Sequence, residues 1–143
     1  MKKIILLLFA VIITGKTIAQ SDSELLVKEV KKWIGTPYKW GGKTMKGIDC
    51  SQFNKMLQKN VYKRDVRGTC SKQWQTSKRI KKSELRPGDV VFFYSRWSPS
   101  GWHCGTYIGG GKFAHSSTAK SVRGVGISKL SAYNERYKGA GRF

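Results

Sequence analysis

The sequence predicts an α+β domain, with helices packed on one face of an antiparallel sheet of about five strands. Two observations carry that expectation. Up to Val61, apolar residues recur at three- and four-residue spacing. From Ser83 onward, short runs of Val, Phe, Tyr and Ile alternate with Gly-rich turns. Helices come first and strands follow, as in a segregated rather than an alternating fold.

The chain has 143 residues, enough for one core. Its first twenty, MKKIILLLFAVIITGKTIAQ, put Lys2 and Lys3 ahead of an apolar run and end on the small-x-small pattern Thr17-Ile18-Ala19. They read as an export leader cleaved near Ala19 or Gln20, since the run falls short of the ~20 residues of a membrane span. Residues 21–143 then form the domain. No repeat, low-complexity tract or long linker divides it.

The first helix is expected in SDSELLVKEVKKWIG. Ser21 and Glu24 have capping-box spacing, Leu26, Val30, Trp33 and Ile34 make the apolar face, and Gly35 and Pro37 stop the helix. A Gly-rich loop with Tyr38 and Trp40 follows. The second helix is expected in DCSQFNKMLQKNVY, with Asp49 as N-cap, Gln52 placed to reach back to the cap, and Phe53, Met56, Leu57 and Val61 as the buried stripe. The next segment, KRDVRGTCSKQWQTSKRI, reads as a polar connection with weak helical character. Five strands are expected in DVVFFY, HCGTYIG, KFAHSS, VGISKL and YKGAGRF.

The formal charge is +20, or +17 once Lys2, Lys3 and Lys16 leave with the leader. Such a field attracts polyanions, and for an exported protein anionic cell-wall polymers are expected ahead of nucleic acid. The charges are scattered and form no basic tail.

Three cysteines allow at most one internal disulfide and leave one thiol over. Cys50 stands behind the Asp49 cap, so its sulfur lies near unpaired backbone N–H groups and the positive end of a helix, both of which favour a thiolate. A core cysteine is the other reading of that position. The two histidines, His103 and His115, fall in one predicted hairpin. With a three-residue Gly109–Gly111 loop, Gly105 faces His115, and His103 and His115 become diagonal neighbours on one face. A two-residue loop would put them on opposite faces. Two histidines beside a helix-tip cysteine suit a nucleophile, its base and a group that orients the base. A zinc site is not expected, because no pair of Cys or His has the close spacing of a structural site. No metal or other cofactor is required.

These stretches together resemble the NlpC-type (NlpC and p-sixty) family of papain-like cysteine endopeptidases of bacterial peptidoglycan. The resemblance rests on GTPYKWGG, GIDCSQF, SELRPGDVVFF, HCGTYIGGGKFAHSS and YKGAGRF, in that order. It implies a papain-like α+β fold, with Cys50 as nucleophile, His103 as general base and His115 as the residue orienting His103. Tyr38, with Trp40, Asp49 and Ser51, falls on the side that binds substrate or holds the oxyanion. The implied substrate is a peptidoglycan stem peptide, cut beside D-glutamate or at a cross-link by a monomeric enzyme, with no nucleic-acid partner. An amidase or acyltransferase of the same fold, or a non-catalytic murein-binding relative, are the rival readings.

The chain departs from the family pattern in four places, one of them Trp102 with the insert SRWSPSG before His103, which puts bulk at the cleft edge. Gln52 replaces the usual glycine after the nucleophile motif. Cys104 stands where an aliphatic residue follows the catalytic histidine, and Cys70 falls in a segment that borders the family's cleft. With Cys50 set aside as nucleophile, Cys70 and Cys104 are an even pair in an exported chain. Either they bond and tie that segment to the strand, or they are two unrelated thiols. By alternation from His103, Cys104 is expected to point away from the catalytic face.

Overall fold

The computed structural model describes residues 21–143. The leader read in residues 1–20 lies outside them. No helix among the described residues is long and apolar enough to cross a membrane.

Helix α1 spans Asp22–Trp33 and opens on a capping box. The Ser21 Oγ accepts from the Glu24 N–H, and the Glu24 carboxylate accepts from the Ser21 N–H, both at 3.3 Å. Its Leu26, Val30 and Trp33 pack on Phe53 and Leu57 of α2, Cys50–Tyr62. The short hairpin β1 (Lys43–Thr44) and β2 (Gly47–Ile48) lies between them. Helix α3, Cys70–Thr76, forms in the segment of weak helical character, and the Thr69 Oγ accepts from the Lys72 N–H at its start.

The main sheet has six antiparallel strands in the order β3-β8-β4-β5-β6-β7. These are β3 Lys78–Ile80, β4 Val90–Tyr94, β5 Trp102–Gly109, β6 Lys112–Ser117, β7 Gly124–Lys129 and β8 Tyr137–Arg142. The five expected strands are present. The sixth, β3, lies in the segment read as a connection. It pairs with β8 at the sheet edge and is mostly exposed, so it carries no apolar alternation to read.

Alternation along the central strands gives the sheet two faces. Val90, Phe92, Cys104 and Ala114 face the helices. Val91, Phe93 and Phe113 face the other way and are covered by Leu130 and Tyr133 of a 3-10 turn, Leu130–Arg136. His103 and His115 lie on this second face, His103 against Phe93 and His115 against Phe113 and Tyr133.

The β5–β6 turn resolves the register question in an unexpected way. The loop itself is the two residues Gly110-Gly111, both at positive φ (61° and 71°). A bulge between Tyr107 and Gly109 adds the missing residue, so Tyr107 faces Phe113 and Thr106 faces Ala114. The register beyond the bulge is therefore the one expected of a three-residue loop, and the histidines share a face. Gly105 is required between them, because a Cβ there would stand 2.6 Å from the Phe113 ring and 2.8 Å from the Ala114 carbonyl.

Candidate active site

Cys50 is the first residue of α2, and Asp49 is its N-cap. The Asp49 Oδ1 accepts from the Gln52 N–H (2.8 Å) and the Ser51 hydroxyl (2.9 Å), and its Oδ2 accepts from the Gly41 N–H (3.0 Å). The last contact fixes the loop carrying Tyr38 and Trp40 to the helix tip. Asp49 and Ser51 are both buried and fully engaged in this cap. Asp49 and Ser51 build the tip of α2, while Tyr38 and Trp40 line the cleft beside it.

A polar network seats α3 beside that tip. The Gln73 amide donates to the Ser51 and Gly68 carbonyls, both at 3.1 Å. The Thr106 hydroxyl donates to Asn54 Oδ1 at 2.9 Å. Asn54, Gln73 and Thr106 are all fully buried, so each such bond replaces one lost to water. The network brings Cys70 against β5, where Cys70 and Cys104 are joined by a disulfide with Cα atoms 5.9 Å apart. Cys104 does not point away from Cys50. The α2 tip lies on the helical face of the sheet, and Cys104 alternates to that face while His103 alternates to the other. The three sulfurs consequently lie within 4.8 Å of one another, a grouping that their spacing along the chain does not suggest.

A chain of hydrogen bonds runs back from His103. Its Nε2 lies 2.8 Å from His115 Nδ1, and His115 Nε2 lies 2.8 Å from Ser128 Oγ. Ser128 was not anticipated from sequence. It faces Phe113 across the β6–β7 ladder, and only that register puts it on the histidine face.

Cys50 and His103 open on one cleft of about 720 Å³, walled by Tyr38, Trp40, Trp97 and Trp102, with Lys120 and Arg136 adding positive charge. No hydrogen bond joins Cys50 to His103 among the described residues.

The electrostatics differ from the expected thiolate. Burial, then the Asp49 carboxylate, pushes the Cys50 thiol up to about 11, outweighing the N–H groups of Cys104, Ser51 and Cys50 itself. Burial, then Arg136, lowers His103 to about 4. His115 is held well below 6.5 by burial, with His103 and Arg136 adding to it. Tyr38 is raised to about 12, first by burial and then by Cys50 and Asp49. Near neutral pH the resting pair is thus a thiol and a neutral imidazole.

This has a consequence for stability. An unfolded histidine takes up a proton near pH 6.5, whereas folded His103 resists until about pH 4. The unfolded state therefore binds more protons between those values, and stability falls as pH drops from 6.5 to 4. For His103 alone the loss is about 3 kcal/mol. Urea unfolding at pH 7 and pH 4 should show a smaller loss in His103→Gln than in the wild type. An equal loss would show that this histidine is not held neutral.

The family model for the NlpC/P60 family matches residues 35–142, and the chain belongs to that family. It is 36% identical over 124 residues to the probable endopeptidase NlpC homolog of Haemophilus influenzae, covering 87% of this chain and 62% of that protein. It is 34% identical over 112 residues to the murein DD-endopeptidase MepS/murein LD-carboxypeptidase of Escherichia coli K12, covering 78% of this chain and 55% of that one. The chain thus spans about 60% of the length of these relatives. Among solved structures, the NlpC/p60 domain of the peptidoglycan hydrolase SagA superposes with a TM-score of 0.67 at 30% identity, over 85% of this chain and 98% of that one. The papain-like α+β fold follows from these matches.

Proposed function

We propose that the protein is a cysteine peptidase of peptidoglycan stem peptides, cutting γ-D-glutamyl to diamino acid bonds or cross-links. The observation that carries this is the opening on one cleft of Cys50 and of His103, the end of the His103–His115–Ser128 chain. The relatives named as murein endopeptidases support the substrate class.

The hydrogen-bond chain supports one proton path. His103 Nε2–H donates to His115 Nδ1, and His115 Nε2–H donates to Ser128 Oγ, a tautomer choice that leaves His103 Nδ1 as the base. His103 takes the Cys50 proton as the sulfur bonds the scissile carbonyl carbon. The imidazolium keeps its bond to His115, then protonates the leaving amine, and water hydrolyses the thioester. Backbone N–H groups at the α2 tip are assigned to the oxyanion in this reading. Lys120 and Arg136 suit a substrate rich in carboxylates. Export through the 1–20 leader belongs to the same reading and is supported by the disulfide, which is stable in an oxidising compartment. Mass spectrometry of purified murein fragments, before and after incubation, tests the proposal and identifies the bond. Intact fragments would favour the murein-binding relative.

Two expectations accompany it. Because Cys50 rests as a thiol, its alkylation by iodoacetamide should speed up about tenfold per pH unit from pH 6 to 9, following the thiolate fraction. A rate independent of pH over that range would mean a standing thiolate–imidazolium pair. Retention on murein sacculi should weaken as salt rises, because exposed charges are screened beyond ~8 Å at physiological ionic strength. Equal retention in low and high salt would rule out charge-driven docking.

A further inference from the structure

The catalytic reading uses one sulfur, yet the fold gathers three. The Cys50 Sγ lies 3.4 Å from the Cys70 Sγ, and since Cys70 is already bonded to Cys104, Cys50 carries the only S–H of the group. The surroundings are dry. Cys70 and Cys104 are buried among Val90, Phe92, Trp74 and Trp102. Of the three sulfurs, Cys50 alone lines the cleft. A reagent in the cleft therefore meets the nucleophile first, and the disulfide is reached through it.

We propose that Cys50, Cys70 and Cys104 form one thiol–disulfide exchange centre, in which the bond migrates from Cys70–Cys104 to Cys50–Cys70 and stores the nucleophile in an inactive form. The step is balanced within the chain. Cys50 gives up its proton, its sulfur bonds the Cys70 sulfur, and the Cys70–Cys104 bond breaks. The electron pair leaves on Cys104, which takes up a proton. One thiol and one disulfide exist before and after, so no oxidant is consumed. In-line attack requires the Cys50 sulfur to swing toward the axis of the existing bond, and the same turn removes it from a substrate. The high proton affinity of Cys50 keeps the exchange slow near neutral pH, so peptidase and stored forms are separate species. Cys104 lies on β5 directly after His103, so the exchange also releases the catalytic strand from α3.

The loss of activity in the stored form rests on the peptidase reading, but the exchange itself does not, and it is tested without a substrate. Wild-type protein is held at pH 9, quenched in acid, unfolded, blocked with N-ethylmaleimide and digested with trypsin without reduction. The three cysteines fall in separate peptides, GIDCSQFNK, GTCSK and WSPSGWHCGTYIGGGK. The expected product is a GIDCSQFNK–GTCSK disulfide with a blocked Cys104, in about 0.1–10% of chains, the range of a minor state a few kcal/mol above the major one. In Cys104→Ser, mild oxidation with glutathione disulfide should convert most chains to the Cys50–Cys70 bond. Dithiothreitol should then restore Cys50 alkylation at least tenfold. Finding Cys50 blocked by maleimide in every wild-type chain would overturn the proposal, whether or not the Cys104→Ser protein folds. So would a Cys104→Ser protein that folds and keeps two free thiols, or only glutathione adducts, under oxidation.

Discussion

Cys50→Ala abolishes cleavage of murein peptides, a fall in kcat of at least about ten-thousandfold, while the domain stays folded. Every route through the proposed chemistry begins with the sulfur, and no other side chain lining the cleft offers a comparable nucleophile. The fold should tolerate the change. Alanine keeps the helix start, the Asp49 cap is made by backbone and Ser51 donors, and the Cys70–Cys104 bond does not depend on Cys50. Thiol counting on unfolded, unreduced protein gives a parallel check: one free thiol in the wild type and none in the variant. Activity of Cys50→Ala within tenfold of the wild type would exclude the nucleophile, and with it the peptidase mechanism.

The sequence made the helix tip and the hairpin legible, because both are local devices. Asp49 before Cys50 is a cap followed by an apolar stripe. His103 and His115 flank a glycine run that can only be a turn. Even there the correct pairing came from two features that cancelled, a shorter loop and a bulge. What stayed hidden depended on contacts between distant segments. Ser128 becomes a partner of His115 through the β6–β7 register, which no local pattern in VGISKL reveals. The edge strand β3 is mostly exposed and turns only Ile80 toward the core, so its pairing with β8 leaves no apolar alternation to read. The burial that acts on the pair is hidden for the same reason. A helix N-terminus favours a thiolate, but the burial that opposes it comes from α3 and β5, and the Asp49 that caps the helix also repels the thiolate. Cys104 shows the limit of alternation as an argument. It gave the correct face relative to His103, yet it could not say on which face the α2 tip would land.

His115→Leu should lower kcat by about a hundred- to ten-thousandfold with little change in KM, because it removes orientation and not substrate contact. The His115 ring is fully buried, and leucine fills much of its volume against Phe113 and Tyr133. The loss therefore reads the two nitrogens more than the packing. Without His115 Nδ1, nothing among the described residues accepts from His103 Nε2–H, so the imidazole can rotate or adopt the tautomer that blocks Nδ1 as a base. The imidazolium formed during attack also loses its acceptor. His115→Asn retains a carbonyl acceptor and should recover part of the rate. Ser128→Ala acts one bond further away and should cost less, on the order of tenfold, by leaving His115 Nε2–H without its acceptor. A purely structural role for His115 would make the leucine variant the more active of the two and shift Tm instead. The relay requires the opposite order, asparagine above leucine in kcat, and equal kcat in the leucine variant and wild type would remove His115 from the mechanism.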